Sequence, residues 1–239
     1  MGDIKDSGTA EQEADSILTH KALAFRVHLA GCAYVNQNNH GDTIMAHTQN
    51  ILDTFAQATI GEVEAGRSWY ADALAQSVAM ADKYELPLHI VVGVVAALSP
   101  TNRWERNLVD ADNMLQTFVS GGYVEDTAPC TYKTMRDKAW SILADHLQDA
   151  EAVAARLNGP KITDFFWCIM GDQSQCVIDG HAWCIANADR RTMQEVPSIG
   201  KKLRAELKSA YAEAGEEVGL TAYEMQAITW VAWKRIHNV

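Results

Sequence analysis

The stretch RLNGPKITDFFWCIMGDQSQCVIDGHAW, residues 156–183, carries most of the information about fold class. It holds a turn (Leu157-Asn158-Gly159-Pro160), then Lys161 heading an amphipathic run, then a polar break (GDQSQ), then Asp179 ahead of another apolar run. Ile162, Phe165, Phe166 and Ile169 recur at helical spacing, which predicts a helix over 160–171 with that face buried. Asp179 precedes a helix expected over 180–188, where it is a natural N-cap. Lys161 is the odd member. The positive end of a helix dipole disfavours a cation, and ordinary sequences place Asp or Glu in that first turn. A locally disfavoured residue is a reason to suspect a site, although a plain surface lysine is the competing reading. The same dipole with partial burial would lower the lysine pKa and supply a neutral amine able to attack.

Outward from this stretch the helical period is nearly continuous. Helices are expected over 11–35, 43–58, 67–84, 87–98, 102–119, 131–146, 149–156, 160–171, 180–188, 199–214 and 221–237. Breaks fall at QNNHGD, ELP, SP, SGGYVEDTAPC, LNGP, GDQSQ and QEVPSIG, each rich in turn formers. No run of alternating β-branched residues suggests a strand. The expected architecture is all-α. An acidic tail over 1–14 precedes one unit over 15–239, arranged as two lobes about a cleft, with IVVGVVAALS as a wholly buried central helix.

Composition narrows the function. At 239 residues, 48% hydrophobic and 21% charged, the chain has an ordinary globular profile. No apolar run approaches the roughly 20 residues that span a bilayer, so no membrane partner is expected. The polar, acidic N-terminus resembles neither a secretory nor a mitochondrial leader. Five cysteines, mostly inside apolar segments and without a CxxC, suggest reduced thiols in a cytoplasmic compartment and no zinc or iron–sulfur site. The net charge of −11 runs against non-specific nucleic-acid binding, which phosphate contacts dominate.

Three segments, in order, carry chemistry. In SPTNRWERN, Pro100 breaks the central helix and leaves Asn102, Arg103 and Arg106 on an exposed corner, with Arg106 able to pair with Asp110 one turn along. Gly159-Pro160-Lys161 opens the next helix, and Ile178-Asp179-Gly180-His181 the one after. His181 is equally readable as a core or a site residue. Near the C-terminus, EMQAITWVAW puts Gln226 and Trp230 on one helical face.

Together these segments resemble the helix-hairpin-helix DNA glycosylase superfamily, most of all its 8-oxoguanine glycosylase/AP lyase branch. The likeness covers roughly residues 85–237. Gly159-Pro160-Lys161 stands where the family has a hairpin ending in Gly-x-Lys. Ile178-Asp179-Gly180-His181 stands where it has Val-Asp-x-His. The hairpin itself reads Ala-Arg-Leu-Asn-Gly in place of Leu-Pro-Gly-x-Gly. The resemblance implies a helix-hairpin-helix element, a central cleft, and DNA carrying a flipped base as the partner, with no metal or cofactor. It implies Lys161 as Schiff-base nucleophile and Asp179 as the carboxylate stabilising the sugar cation. Gln226, Trp230, Trp183 and His181 would form the base pocket, while Asn102, Arg103, Trp104, Arg106 and Gly159 would contact DNA. Two alternatives stay open. One is a phage-type transferase that hypermodifies a pyrimidine, from a viral offshoot of the same fold. The other is a non-catalytic DNA-binding or DNA-mimic module, which the acidic balance favours.

Overall fold

The computed structural model describes residues 40–239. The helix expected over 11–35, the tail over 1–14 and Cys32 lie outside the described residues. Among the described residues there are ten α-helices, one 3-10 turn and no strand. They are α1 (His40–Phe55), α2 (Ile60–Tyr84), α3 (Leu88–Leu98), α4 (Trp104–Val119), α5 (Lys133–Ala144), α6 (Ala150–Leu157), α7 (Pro160–Ile169), α8 (Gly180–Asn187), α9 (Lys201–Val218) and α10 (Ala222–His237). The 3-10 turn, Val124–Asp126, lies in the loop between α4 and α5. None of these helices is long and apolar enough to cross a membrane.

Ends differ from the sequence expectation where caps override periodicity. Helix α2 starts at Ile60 and not near 67, because Thr59 accepts from the Glu62 N–H while the Glu62 carboxylate accepts from the Thr59 N–H. Helix α9 runs on to Val218 and stops at Gly219, whose φ of 76° closes the last turn. Helices α6 and α7 are joined only by Asn158, in the left-handed region at φ 43°, and Gly159, the N-cap of α7.

Helix α3 is the central element: every residue from Ile90 to Leu98 is buried, against α2, α4, α5, α6 and α7. Each buried Val, Ile or Leu there contributes about 1.5–3 kcal/mol. The core divides into two apolar clusters. One surrounds α3, and the other joins α1, α8, α9 and the outer face of α10. Two segments face both clusters. In the extended run before Asp179, Val177 enters the first cluster while Cys176 and Ile178 enter the second, the alternation an extended backbone imposes. On α10, Tyr223 and Ala227 face the first cluster, and Met225 and Trp233 the second.

Helices α2 and α10 pack closely at Gly66. A Cβ there would lie 2.5 Å from the Ile228 Cα, so only glycine permits the approach. That contact brings the aromatic face of α2 up to α10, where the cleft forms.

Candidate functional site

Lys161 and Asp179, eighteen positions apart, meet in the structure. Helix α7 carries Lys161 in its first turn, and Asp179 ends the run that packs between the two clusters. Lys161 Nζ lies 3.4 Å from Asp179 Oδ2, with the lysine side chain half-exposed and the aspartate 14% exposed. The two oxygens of Asp179 divide their work. Oδ1 accepts from the backbone N–H groups of His181 (2.9 Å) and Ala182 (3.0 Å), capping α8, while Oδ2 is left to the lysine. Burial pushes this carboxyl up. The Lys161 charge, the Ala182 N–H and His181 outweigh it, so the group sits below the ordinary carboxylate value. The capping reading of Asp179 is met by Oδ1, and Oδ2 is left facing Lys161 beside the cleft.

The pair borders a cleft of about 860 Å³, within the range of small-molecule sites. Asn102, Arg103, Trp104, Lys161, Asp179, His181, Gln226 and Trp230 all line it. Three other expected site residues do not. Trp183 is 7% exposed and packs into the second cluster with Arg191 over its ring, because α8 turns Ala182 to Ala186 into the core; it cannot stack on a ligand in the cleft. Arg106 is not a cleft residue: its Nε binds Asp110 Oδ1 at 2.7 Å, the helix-turn pairing its spacing allowed. Gly159 sits on the α6–α7 hairpin, outside the lining.

The corner between α3 and α4 is rigid. Buried Asp110 accepts from Arg106, from Asn102 Nδ2 (2.9 Å) and from the Cys130 N–H (2.7 Å). Thr131 also donates to the Pro100 carbonyl at 2.8 Å. Asn102 is thus tied inward, and Thr101 is held in the left-handed region at φ 59°. For a residue other than glycine that conformation costs on the order of 1 kcal/mol or more, and such strain gathers at functional sites. Arg103 is the exposed side chain of the corner with no partner among the described residues.

Several cleft residues were not anticipated. Trp69 and Tyr70 come from α2, in the region without a functional reading. Trp69 stands 5.0 Å from Trp104, 5.8 Å from Phe165 and 5.9 Å from Trp230, ring centre to ring centre, so four aromatic residues form one side of the cleft. Buried Tyr70 donates to Gln226 Oε1 at 2.8 Å, tying that side chain to α2. Asn107, 1% exposed, also lines the cleft, with its Oδ1 unpaired. Leaving a buried acceptor without a donor costs roughly 1–3 kcal/mol. The only sequence signal for these residues is their type: adjacent aromatics on a helix otherwise rich in alanine, and a buried-face asparagine.

A second polar cluster lies behind the site. Lys208 Nζ donates to Asp164 Oδ1 at 2.8 Å, and Arg204 donates to the Ile178 carbonyl at 2.7 Å while its Nη1 stands 3.7 Å from Asp164 Oδ2. Burial nevertheless keeps the Asp164 carboxyl above the ordinary value. The bond to Ile178 steadies the backbone beside Asp179. Among the described residues, no three His, Cys, Asp or Glu side chains are grouped as metal ligands.

Residues 34–237 match a family of unknown function, DUF7178, and the chain belongs to that family. No curated protein and no solved structure matches it.

Proposed function

We propose that this chain is a DNA base-excision enzyme, in which a damaged or modified base is flipped into the cleft and its N-glycosidic bond cleaved. The observation that carries the reading is the Lys161–Asp179 pair, 3.4 Å apart at the edge of a cleft walled by four aromatic residues. A base inside a duplex is reached only by extruding it, and aromatic faces hold an extruded base at roughly 1–3 kcal/mol per stack. In this reading Trp230 or Trp69 would supply that face, and exposed Arg103 would enter the gap.

In the reaction, Asp179 Oδ2 is the carboxylate oxygen within reach of the lysine proton. With its proton released to solvent past Asp179, which stays ionised, Nζ bonds to the sugar C1′ as the glycosidic C–N bond breaks; the electron pair leaves with the base, which takes up the proton shed by the newly formed secondary ammonium. Opening of the sugar C1′–O4′ bond then gives a Schiff base competent for β-elimination. Throughout, the carboxylate offsets positive charge on the sugar, most strongly where water is excluded. The two-residue connection between α6 and α7 supports a helix-hairpin-helix element, and the two apolar clusters support a two-lobed body. A cytoplasmic compartment belongs to the same reading. Its support is free cysteines among the described residues, with burial pushing Cys168 up to about 12 and Cys176 well above the ordinary value.

A group transferase acting on a modified pyrimidine is the second reading. It is favoured by the engagement of Lys161 in an ion pair, which leaves the carboxylate able to act without a covalent lysine adduct.

Borohydride trapping on duplexes carrying 8-oxoguanine, uracil or an abasic site tests the first reading. The expected result is a covalent adduct that is lost in Lys161→Ala and retained in Lys201→Ala. Absence of an adduct on all three, with DNA binding intact, would overturn it in favour of the transferase or of a non-catalytic DNA-binding module. An adduct persisting in Lys161→Ala would remove the lysine from its role.

A further inference from the structure

The Lys161–Asp179 pair does not account for the unpaired polar atoms elsewhere in the same cleft. Among the described residues, five buried side-chain atoms lack a hydrogen-bond partner. Three of them, Asn102 Oδ1, Asn107 Oδ1 and His181 Nδ1, belong to residues that line the cleft, so the deficit is concentrated where a ligand would sit. The amide orientations are fixed. Asn107 Nδ2 donates to the Val95 carbonyl at 3.0 Å, and Asn102 Nδ2 to the Leu98 carbonyl at 3.4 Å and to Asp110 at 2.9 Å. A backbone carbonyl only accepts, so turning either amide over would set oxygen against oxygen. The two unfilled amide oxygens, on Asn102 and Asn107, are therefore acceptors. Asn107 is the more buried of the two, 1% exposed. Gln226 complements it: Oε1 takes the Tyr70 proton, and Nε2 has no acceptor among the described residues.

We infer that the cleft selects a nucleobase by its N–H groups, with Asn107 Oδ1 as the specificity-determining acceptor and Gln226 Nε2 as the donor to a base carbonyl or ring nitrogen. The inference rests on the base-flipping reading for the identity of the ligand, but not on Lys161 chemistry. Its physical basis is asymmetric. A base that brings an N–H satisfies an acceptor that is otherwise buried and unpaired, whereas a base without one leaves the deficit in place. Sites of this kind reject the analogue lacking the donor far more strongly than apolar pockets reject a missing methylene.

The test uses the full chain and free deoxynucleosides, each of the four paired with a counterpart whose Watson–Crick-edge N–H groups are methylated or removed. 3-Methylthymidine and purine 2′-deoxyriboside are two such counterparts, and the second removes the amino group without adding bulk. Binding is read by ligand-observed NMR titration. At least one parent nucleoside is expected to bind at least tenfold more tightly than its counterpart, and Asn107→Leu is expected to bring the two within about twofold. Equal binding of parents and counterparts to the unaltered chain, or no binding by any parent, would overturn the inference; neither comparison depends on the variant folding. Preference for the parent surviving in a folded Asn107→Leu would move the selecting role to another residue and overturn the assignment. An N–H preference without any trapped lysine adduct would sink base excision and leave this inference standing. A trapped adduct without the preference would do the reverse.

Discussion

Replacing Asp179 separates its two duties, because each belongs to a different oxygen. In Asp179→Asn the side-chain oxygen that caps α8 is kept, and Asn caps about as well as Asp. What is lost is the charge facing Lys161. That pair involves a half-exposed lysine, so its loss costs at most about 1 kcal/mol. Asp179→Ala also removes both capping bonds, for a further cost of about 1 kcal/mol. For a body of this size each kcal/mol lowers the melting temperature by about 2–4 °C. Asp179→Asn should therefore melt within about 4 °C of the parent and Asp179→Ala roughly 4–8 °C below it, by circular dichroism. Activity should not follow that order. Under the base-excision reading, losing the charge that would offset a developing sugar cation should cost about 10²-fold or more in both variants, by analogy with removal of a single preorganised electrostatic group. The sign with pH is set by the depressed carboxyl. Its contribution to stability is intact above the ordinary value of 3.8 and is lost only as pH falls through the lower folded-state value. Asp179→Asn turning over within threefold of the parent would refute the electrostatic role. Equal melting temperatures for the two variants would refute the division between the oxygens.

Two further predictions concern how the site is held. Gly66→Ala should destabilise the chain by about 2 kcal/mol or more in urea titrations, because its Cβ would lie 2.5 Å from the Ile228 Cα and neither backbone can yield cheaply, whereas Gly61→Ala, with nothing within 4 Å, should be neutral or stabilising by up to about 1 kcal/mol. Lys208→Met should leave Asp164 buried with a weakened partner set and cost about 2–3 kcal/mol at neutral pH, discounted for the partly exposed lysine. Since the Asp164 carboxyl already lies above its ordinary value, its ionisation penalty vanishes below about 3.8 and grows as pH rises, so the deficit should shrink towards pH 4; a deficit independent of pH would show that Lys208 acts through packing.

The helices were legible because their signals are local. Helix α3 is apolar on every face, α7 has a clean stripe at Ile162, Phe166 and Ile169, and Pro100 punctuates the chain where the structure breaks it. Lys161 and Asp179 were legible because each strains or completes a helix start, a property of three or four neighbouring residues. Trp69, Tyr70 and Asn107 were not. Their place in the cleft depends on α2 lying against α10 at Gly66 and on α4 turning back along α3, and no local pattern records either packing. Trp183 failed for the complementary reason. It follows Asp179 by one helical turn, which placed it near the site along the sequence, but the rotation of α8 that lets Asp179 cap it carries that face into the second cluster.

The acidic balance has a different meaning once the cleft is described. The net charge of −11 belongs to the whole chain, whereas the side chains lining the cleft include three cations, Arg103, Lys161 and Lys234, against two carboxylates, Glu105 and Asp179. Screening confines the influence of exposed charges to about 8–10 Å at ordinary ionic strength, so a phosphate at the cleft mouth feels these groups more than the distant acidic surface. Under the base-excision reading, undamaged duplex lying elsewhere on the body would meet the acidic remainder of the chain. Non-specific affinity derives almost wholly from phosphate contacts, and an acidic body suppresses it. Under the base-excision reading, binding then depends on what the cleft gains from an extruded base: stacking on Trp230 or Trp69 and an N–H delivered to Asn107. The same charge that argues against a general DNA-binding protein thus suits one whose affinity is withheld until a base is out of the stack.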